Sequence, residues 1–171
     1  MRHLKSVALR HLVWLFLSLG CGMAASQEAK EPTKLLLKIE APAATNPDDS
    51  GRPSPIKVRL YELKDSNTFG EADYFGLNSM DKSILGADML AKDEFILRPG
   101  ETRTIERSSH NQTSALGILA GYRDLANSTW RVIHPLKEAP TAAWYRAMLP
   151  SNKLTMTIQL QPQGIVLIPA P

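Results

Sequence analysis

The side chains able to do chemistry are few and scattered. Cys21 is the only cysteine among 171 residues, so no disulfide can form within the chain. Four histidines are present, and two of them, His3 and His11, lie in an N-terminal stretch of export-signal form. The other two, His110 and His134, are far apart and belong to no HExxH or Cys/His pattern, which argues against a metal site. Ser108-Ser109-His110 sets hydroxyls beside an imidazole, but adjacency along the chain is not the geometry of a catalytic triad. Asp48-Asp49 and Glu71/Asp73 are carboxylate pairs, and nothing suggests the desolvation of one member that acid/base work requires. There is no Gly-rich phosphate loop. Gly117 and Gly121 fall inside a strand-like run, where glycine allows close backbone approach or a bulge. The expectation is a protein without catalytic residues, metal, cofactor or small-molecule substrate.

Cys21 is the exception, because of what precedes it. Arg2, Lys5 and Arg10 form a basic stretch, and Leu12 to Leu19 is apolar apart from Ser18. Such a run is far short of the ~20 residues needed to span a bilayer as a helix, and it has the form of an export signal. Leu17-Ser18-Leu19-Gly20-Cys21 resembles a lipobox, whose thiol receives diacylglycerol before the signal is cut after a small residue. Ser18 stands where a lipobox usually has Leu. The alternative is a plain secretory signal cut near Ala24-Ala25-Ser26. Gly22 follows the cysteine; Asp there would favour the inner membrane, so Gly favours the outer. The signal takes three of 20 basic residues and none of 17 acidic ones, leaving 17 against 17. A basic nucleic-acid footprint is therefore not supported. The expected organisation is a signal over 1–20, a lipid-anchored tether over 21–33 and one domain over 34–171.

The elements behind these residues are mostly strands. Leu35, Leu37 and Ile39 alternate with Leu36, Lys38 and Glu40, the period-2 pattern of a half-buried strand. Ile56, Val58 and Leu60 alternate with Lys57, Arg59 and Tyr61, and Leu154, Met156, Ile158 and Leu160 with Thr155, Thr157 and Gln159. Further strands are expected over Glu94 to Arg98, Thr102 to Arg107, Leu116 to Arg123, Trp130 to His134 and Ile165 to Ile168. Eight strands separated by turn signals suggest a sandwich or barrel. One helical island interrupts them. Thr68-Phe69-Gly70-Glu71 has the form of a capping box, and Phe69, Ala72, Tyr74 or Phe75, and Leu77 form its apolar stripe. A second turn, Met80 to Leu85, is expected to end at Gly86, and Met148 to Ser151 to cross between sheets.

The longest connection runs from Ala41 to Pro55, 15 residues that include Pro42, Pro47, Pro53 and Pro55. Proline fixes φ and donates no ladder hydrogen bond, so this segment is a stiff loop and not a strand. With few large apolar side chains, it reads as a part held out by the fold.

Asn46-Pro47-Asp48, Gly51-Arg52-Pro53-Ser54-Pro55 and the strand carrying Val58, Arg59, Tyr61 and Leu63 resemble the TssJ family of type VI secretion lipoproteins. The resemblance continues through Phe69, Asp73, Phe75 and Leu77, then Leu85, Gly86, Asp88 and Leu90. It extends to Leu97-Arg98-Pro99-Gly100-Glu101, Ala120-Gly121-Tyr122-Arg123-Asp124 and Trp130-Arg131, hence over most of the chain. It implies an all-β, transthyretin-like sandwich of two four-stranded sheets with a short helical insertion after the second strand. It also implies a non-enzymatic structural subunit on the periplasmic face of the outer membrane. That subunit binds the periplasmic C-terminal domain of TssM, which in turn joins TssL in the inner membrane. The contact carried over is the loop, at Asn46, Pro47, Asp48, Gly51, Arg52 and Pro53. The alternative is a soluble periplasmic sandwich with a binding or accessory role and no part in secretion.

Lipidation makes the first testable expectation. Cys21→Ser should yield a soluble or uncleaved protein that no longer fractionates with the outer membrane. Unchanged fractionation, with an unmodified N-terminal mass for the native protein, would exclude the anchor.

Overall fold

The computed structural model describes residues 30–138, 140 and 151–170. The expected export signal, Cys21, the first part of the expected tether and most of the expected crossing at Met148 to Ser151 lie outside the described residues.

In chain order the elements are β1 (Lys34–Glu40), β2 (Ile56–Leu63), α1 (Asn67–Glu71), α2 (Tyr74–Leu85) and a 3-10 turn (Gly86–Asp88). Then follow β3 (Met89–Leu97), β4 (Thr102–Ser108), β5 (Ala115–Ala120), β6 (Arg131–Pro135), β7 (Lys153–Gln161) and β8 (Gly164–Pro169). They form two four-stranded sheets, in the orders β4-β1-β7-β8 and β3-β2-β5-β6. β1 and β7 run parallel, from Lys34 opposite Lys153 to Glu40 opposite Gln159. Every other strand pairing is antiparallel. The expected two-sheet sandwich is thus the fold.

Alternation decides which side chains fill it. Leu35, Leu37 and Ile39 of β1 meet Met156, Ile158 and Leu160 of β7 and, across the sandwich, Ile56, Val58 and Leu60 of β2. β1 shows the half-buried pattern that its sequence predicts. β2 does not: Arg59 and Tyr61, on the face expected to be wet, are buried, and Leu63 beyond them is buried too. The helices cover that face. Tyr61, Leu63, Phe69, Leu77, Leu85 and Leu119 form a second core beneath them. Gly117 makes this possible, since a Cβ there would lie 2.8 Å from the Phe69 ring.

The helical insertion is built differently from its sequence expectation. The Thr68/Glu71 capping box does not form. α1 begins two residues earlier, after Ser66, which makes no side-chain cap. The Asp65 carboxylate instead accepts from the Asn67 N–H at 2.8 Å. The chain leaves helical geometry at Ala72 and restarts at Asp73, whose carboxylate accepts from the Gly76 N–H at 2.9 Å. Two helices therefore replace one. Tyr74 turns inward against Trp130, and Phe75 is left 70% exposed. α2 continues through a kink at Met80 into the expected second turn and ends, as expected, at Gly86, where φ is +51°.

Strand direction sorts the connections into two poles. Glu40 pairs with Thr102 and Gln159, Ile56 with Leu97, Val58 with Ala120, and Leu119 with Arg131. The connections 41–55, 98–101, 121–130 and 162–163 therefore share one pole. They are bonded to one another: Ala41 N–H donates to Glu101 O at 2.9 Å, and Thr129 N–H to Gln163 O at 3.0 Å. Lys34, where the chain joins the sandwich, is at the other pole. There Lys34 N–H donates to Asn152 O and Ser109 N–H to Thr33 O, both at 2.8 Å.

The β7 register has a direct test. Ile158 is fully buried and Thr157 points to the opposite face. Ile158→Ala should cost ~2–5 kcal/mol in chemical denaturation, and Thr157→Ala much less. Equal costs would mean a shifted strand.

Candidate functional site

The 41–55 loop has a fixed base and an exposed tip. At the base, Thr45 is fully buried and donates its hydroxyl to Leu160 O at 2.8 Å. Asn46 is 3% exposed and sits at φ +50°. Its amide nitrogen donates to Pro55 O at 2.9 Å, and its amide oxygen accepts from Arg123 N–H at 2.8 Å. Asparagine is among the few residues that tolerate this left-handed conformation. One side chain thus closes the loop across its neck and fastens it to the 121–130 connection. The loop is held out by the fold only beyond Asn46.

The tip is a ring closed by Asp48. Asp48 N–H donates to Arg52 O at 2.9 Å, and Gly51 N–H donates to Asp48 O at 2.8 Å. The Asp48 carboxylate accepts from the Ser50 and Arg52 N–H groups, both at 2.9 Å. It also accepts from Arg52 Nε and pairs with Nη2, both at 2.8 Å. Gly51 turns the ring at φ +75°, where a side chain would be strained. The Arg52 N–H holds the Asp48 carboxyl below its ordinary range; burial opposes it, and the Arg52 guanidinium, the Ser50 N–H and the field of Arg123 tip the balance downward. Arg52 remains 79% exposed although it is paired. Among the expected contact residues, Gly51, Arg52 and Pro53 are exposed, Pro47 and Asp48 are half-buried, and Asn46 is buried. The structure brings all six into one loop and separates a positioning residue, Asn46, from a presented edge.

Two further residues belong to this pole. Tyr122 and Arg123 stand in the Ala120-Gly121-Tyr122-Arg123-Asp124 run. Arg123 lends its N–H to Asn46, and both residues line a cleft with Asn46 to Asp49, Asp124, Asn127, Ser128, Pro162 and Gln163.

The other chemical candidates are occupied by backbone. Ser109 Oγ accepts from Thr33 N–H and donates to the carbonyl of His110, not to its ring. His110 Nδ1 accepts from Gln112 N–H. His134 lies on β6 opposite Leu116. No group of three His, Cys, Asp or Glu side chains among the described residues is placed to hold a metal. No described helix is long and apolar enough to cross a membrane.

The sandwich thus presents a stiffened loop at one pole, while the Ser109 hydroxyl and the His110 ring are engaged in local turns. The profile of the family described as type VI secretion lipoprotein (VasD, EvfM, TssJ) matches residues 33–163, and the chain belongs to that family. The crystal structure of the type VI lipoprotein TssJ1 from Pseudomonas aeruginosa is 38% identical, with a TM-score of 0.70, over 82% of this chain and 98% of that one. Lip from Serratia marcescens, described as a membrane-bound component of the type VI secretion system, is 29% identical, with a TM-score of 0.71, over 82% and 99%. A chain of a type VI membrane complex is 26% identical, with a TM-score of 0.63, over 82% and 100%. Comparison with curated protein sequences returns no match.

The Asp48 ring sets a pH dependence. A carboxyl held low in the folded loop contributes order that is complete above the ordinary Asp range and is lost as pH falls through the depressed value. The Ser50 and Arg52 amide resonances should therefore titrate with a midpoint below ~3.9. A midpoint at or above that value would mean that the ring is not closed by Asp48. Asp48→Asn should remove the titration and leave the tip mobile.

Proposed function

We propose that the protein is a non-enzymatic structural subunit of the type VI membrane complex, anchored to the periplasmic face of the outer membrane through a lipid on Cys21. Its 41–55 loop binds the periplasmic C-terminal domain of TssM, which joins TssL in the inner membrane. Family membership and the likeness to a membrane-complex chain support the secretion role. The observation that carries the docking role is the separation of the two poles. The tether joins the sandwich at Lys34, and β1 then runs seven residues to the loop. At ~3.3 Å per residue that is about 23 Å along the strand. A domain tethered at the first pole holds the second away from the membrane, toward a partner crossing the periplasm.

The loop is built for that task. Prolines and the Asp48 ring fix its shape before contact, so little ordering entropy is lost on binding. Arg52 and Pro53 form the exposed edge. An arginine held by a carboxylate presents its remaining donors in a fixed plane to acceptors on a partner.

The base of the loop sets how it can be trimmed. Replacing Asp48–Arg52 with two glycines leaves the Thr45 and Asn46 bonds in place. It should keep the melting midpoint within a few degrees and abolish TssM binding in titration calorimetry. Arg52→Ala should weaken binding by at least ~1 kcal/mol. Asn46→Ala should lower both stability and affinity. Full affinity in the glycine variant would move the interface off this loop.

A further inference from the structure

The order of the chain decides where a pull on this domain would go. The tether meets the sandwich at Lys34, and the 41–55 loop leaves it after Glu40. One strand, β1, thus separates the membrane attachment from the docking loop. The other seven strands and both helices follow the loop in sequence. They lie outside the shortest covalent path between the two attachments.

That path is fastened along its length. Before β1, Thr33 N–H donates to Ser109 Oγ at 3.0 Å, and Thr33 Oγ1 accepts from Asn152 Nδ2 at 2.8 Å. All seven residues of β1, Lys34 to Glu40, are paired on both sides, with β4 and with β7. After it, Ala41 N–H donates to Glu101 O at 2.9 Å, and the Thr45 hydroxyl to Leu160 O at 2.8 Å. The second arm of the loop, on its way to β2, is clasped to the first beside the exit of β1. There Ser54 N–H donates to Thr45 O at 3.2 Å, and Asn46 Nδ2 to Pro55 O at 2.9 Å. A pull on either arm therefore reaches β1.

Force favours a state in proportion to the distance gained between the points where it acts. β1 is already extended at ~3.3 Å per residue, close to the ~3.3–3.6 Å limit of a stretched chain. Taking its seven residues out of the sheets would lengthen the path by at most ~2 Å. Tension along β1 thus does almost no work toward unfolding. A pull between the tether and the end of β8 would instead release everything from Lys34 to Pro169.

We propose that the protein is a tension tie, in which pull between the membrane anchor and the periplasmic partner is carried along β1 and leaves the sandwich folded. The inference rests on the reading of Cys21 as the anchor and of the 41–55 loop as the docking site.

The test is single-molecule pulling of the mature chain in a Cys21→Ser background. Handles are attached at Lys30→Cys and Ser50→Cys, both exposed positions. Between them the only lysines are Lys34 and Lys38, both in β1. A lysine-specific protease cuts a segment that has opened, so the lifetime of the tethered molecule reports how often β1 comes free. That lifetime should stay within twofold over the range of force that unfolds a second molecule, with handles at Lys30→Cys and Ala170→Cys. In the second molecule the pull crosses the whole sandwich, and unfolding is read directly as an abrupt lengthening. A lifetime that falls more than twofold in the first molecule would mean that tension tears β1 from its sheets, and would overturn the proposal. The measurement uses neither lipid nor TssM, so its failure is distinct from failure of the docking reading, which calorimetry of the glycine variant decides. If Cys21 carries no lipid, or the loop does not bind TssM, no pull enters along this path and the proposal falls with that reading.

Discussion

The parallel pairing of β1 with β7 is the constraint from which the rest follows. Parallel neighbours cannot be joined by a hairpin, and here most of the chain lies between them. Once Glu40 lies beside Gln159, the exit of β1 and the exit of β7 are at one pole. The loop that leaves β1 then finds the end of β7 within reach, and Thr45 donates to Leu160 O. The same register draws Lys34 to Asn152 at the opposite pole. The direction in which the loop points is thus a property of sheet order.

The second constraint is β2, which has to serve two cores. One face carries Ile56, Val58 and Leu60 into the sandwich; the other carries Arg59 and Tyr61 under the helices. Burying an arginine is costly unless it is fully engaged. Arg59 donates to Glu94 at 2.5 Å and to Leu77 O at 2.6 Å, and Tyr61 donates to Asp81 at 3.0 Å, which Lys92 also meets at 2.8 Å. Burial alone would lower the Arg59 pKa, but Tyr61 and Glu94 outweigh it and raise it. Burial likewise works to raise the Asp81 pKa, but Lys92, Tyr61 and the Lys82 N–H together pull it down. This network pins α2 to the sheet and leaves Tyr74 against Gly121, where the 121–130 connection begins.

What the sequence reveals depends on how local the cause is. β1 and β7 are legible because one face meets a core and the other meets water, which writes itself as alternation. The wet face assigned to β2 is wrong because its cover comes from helices that period 2 does not announce. The Thr68/Glu71 pattern is real as a string, yet Asp65 and Asp73 do the capping, since the break at Ala72 resets where each helix starts. In the loop, the prolines and Asp48-Asp49-Ser50-Gly51 reveal a stiff turn. The roles of Thr45 and Asn46 stay hidden, because their partners Leu160 and Arg123 lie 115 and 77 residues away. The cleft needs three connections that only the folded topology brings together.

One small feature bears on life at a crowded surface. Thr129 and Gly164 form an isolated bridge that stitches the two sheets together where β8 begins. β8 is an outer strand, with Val166 and Ile168 44% and 41% exposed, and it stops at Pro169. β4, the other outer strand of that sheet, carries Arg103, Glu106 and Arg107. Open strand edges invite pairing with another copy, and charge and proline discourage it. Molecules tethered to a membrane meet in a plane, all in the same orientation, so that edge would face edge at high local density. For copies held as the proposed anchor would hold them, a sutured start, a proline stop and a charged far margin disfavour that pairing.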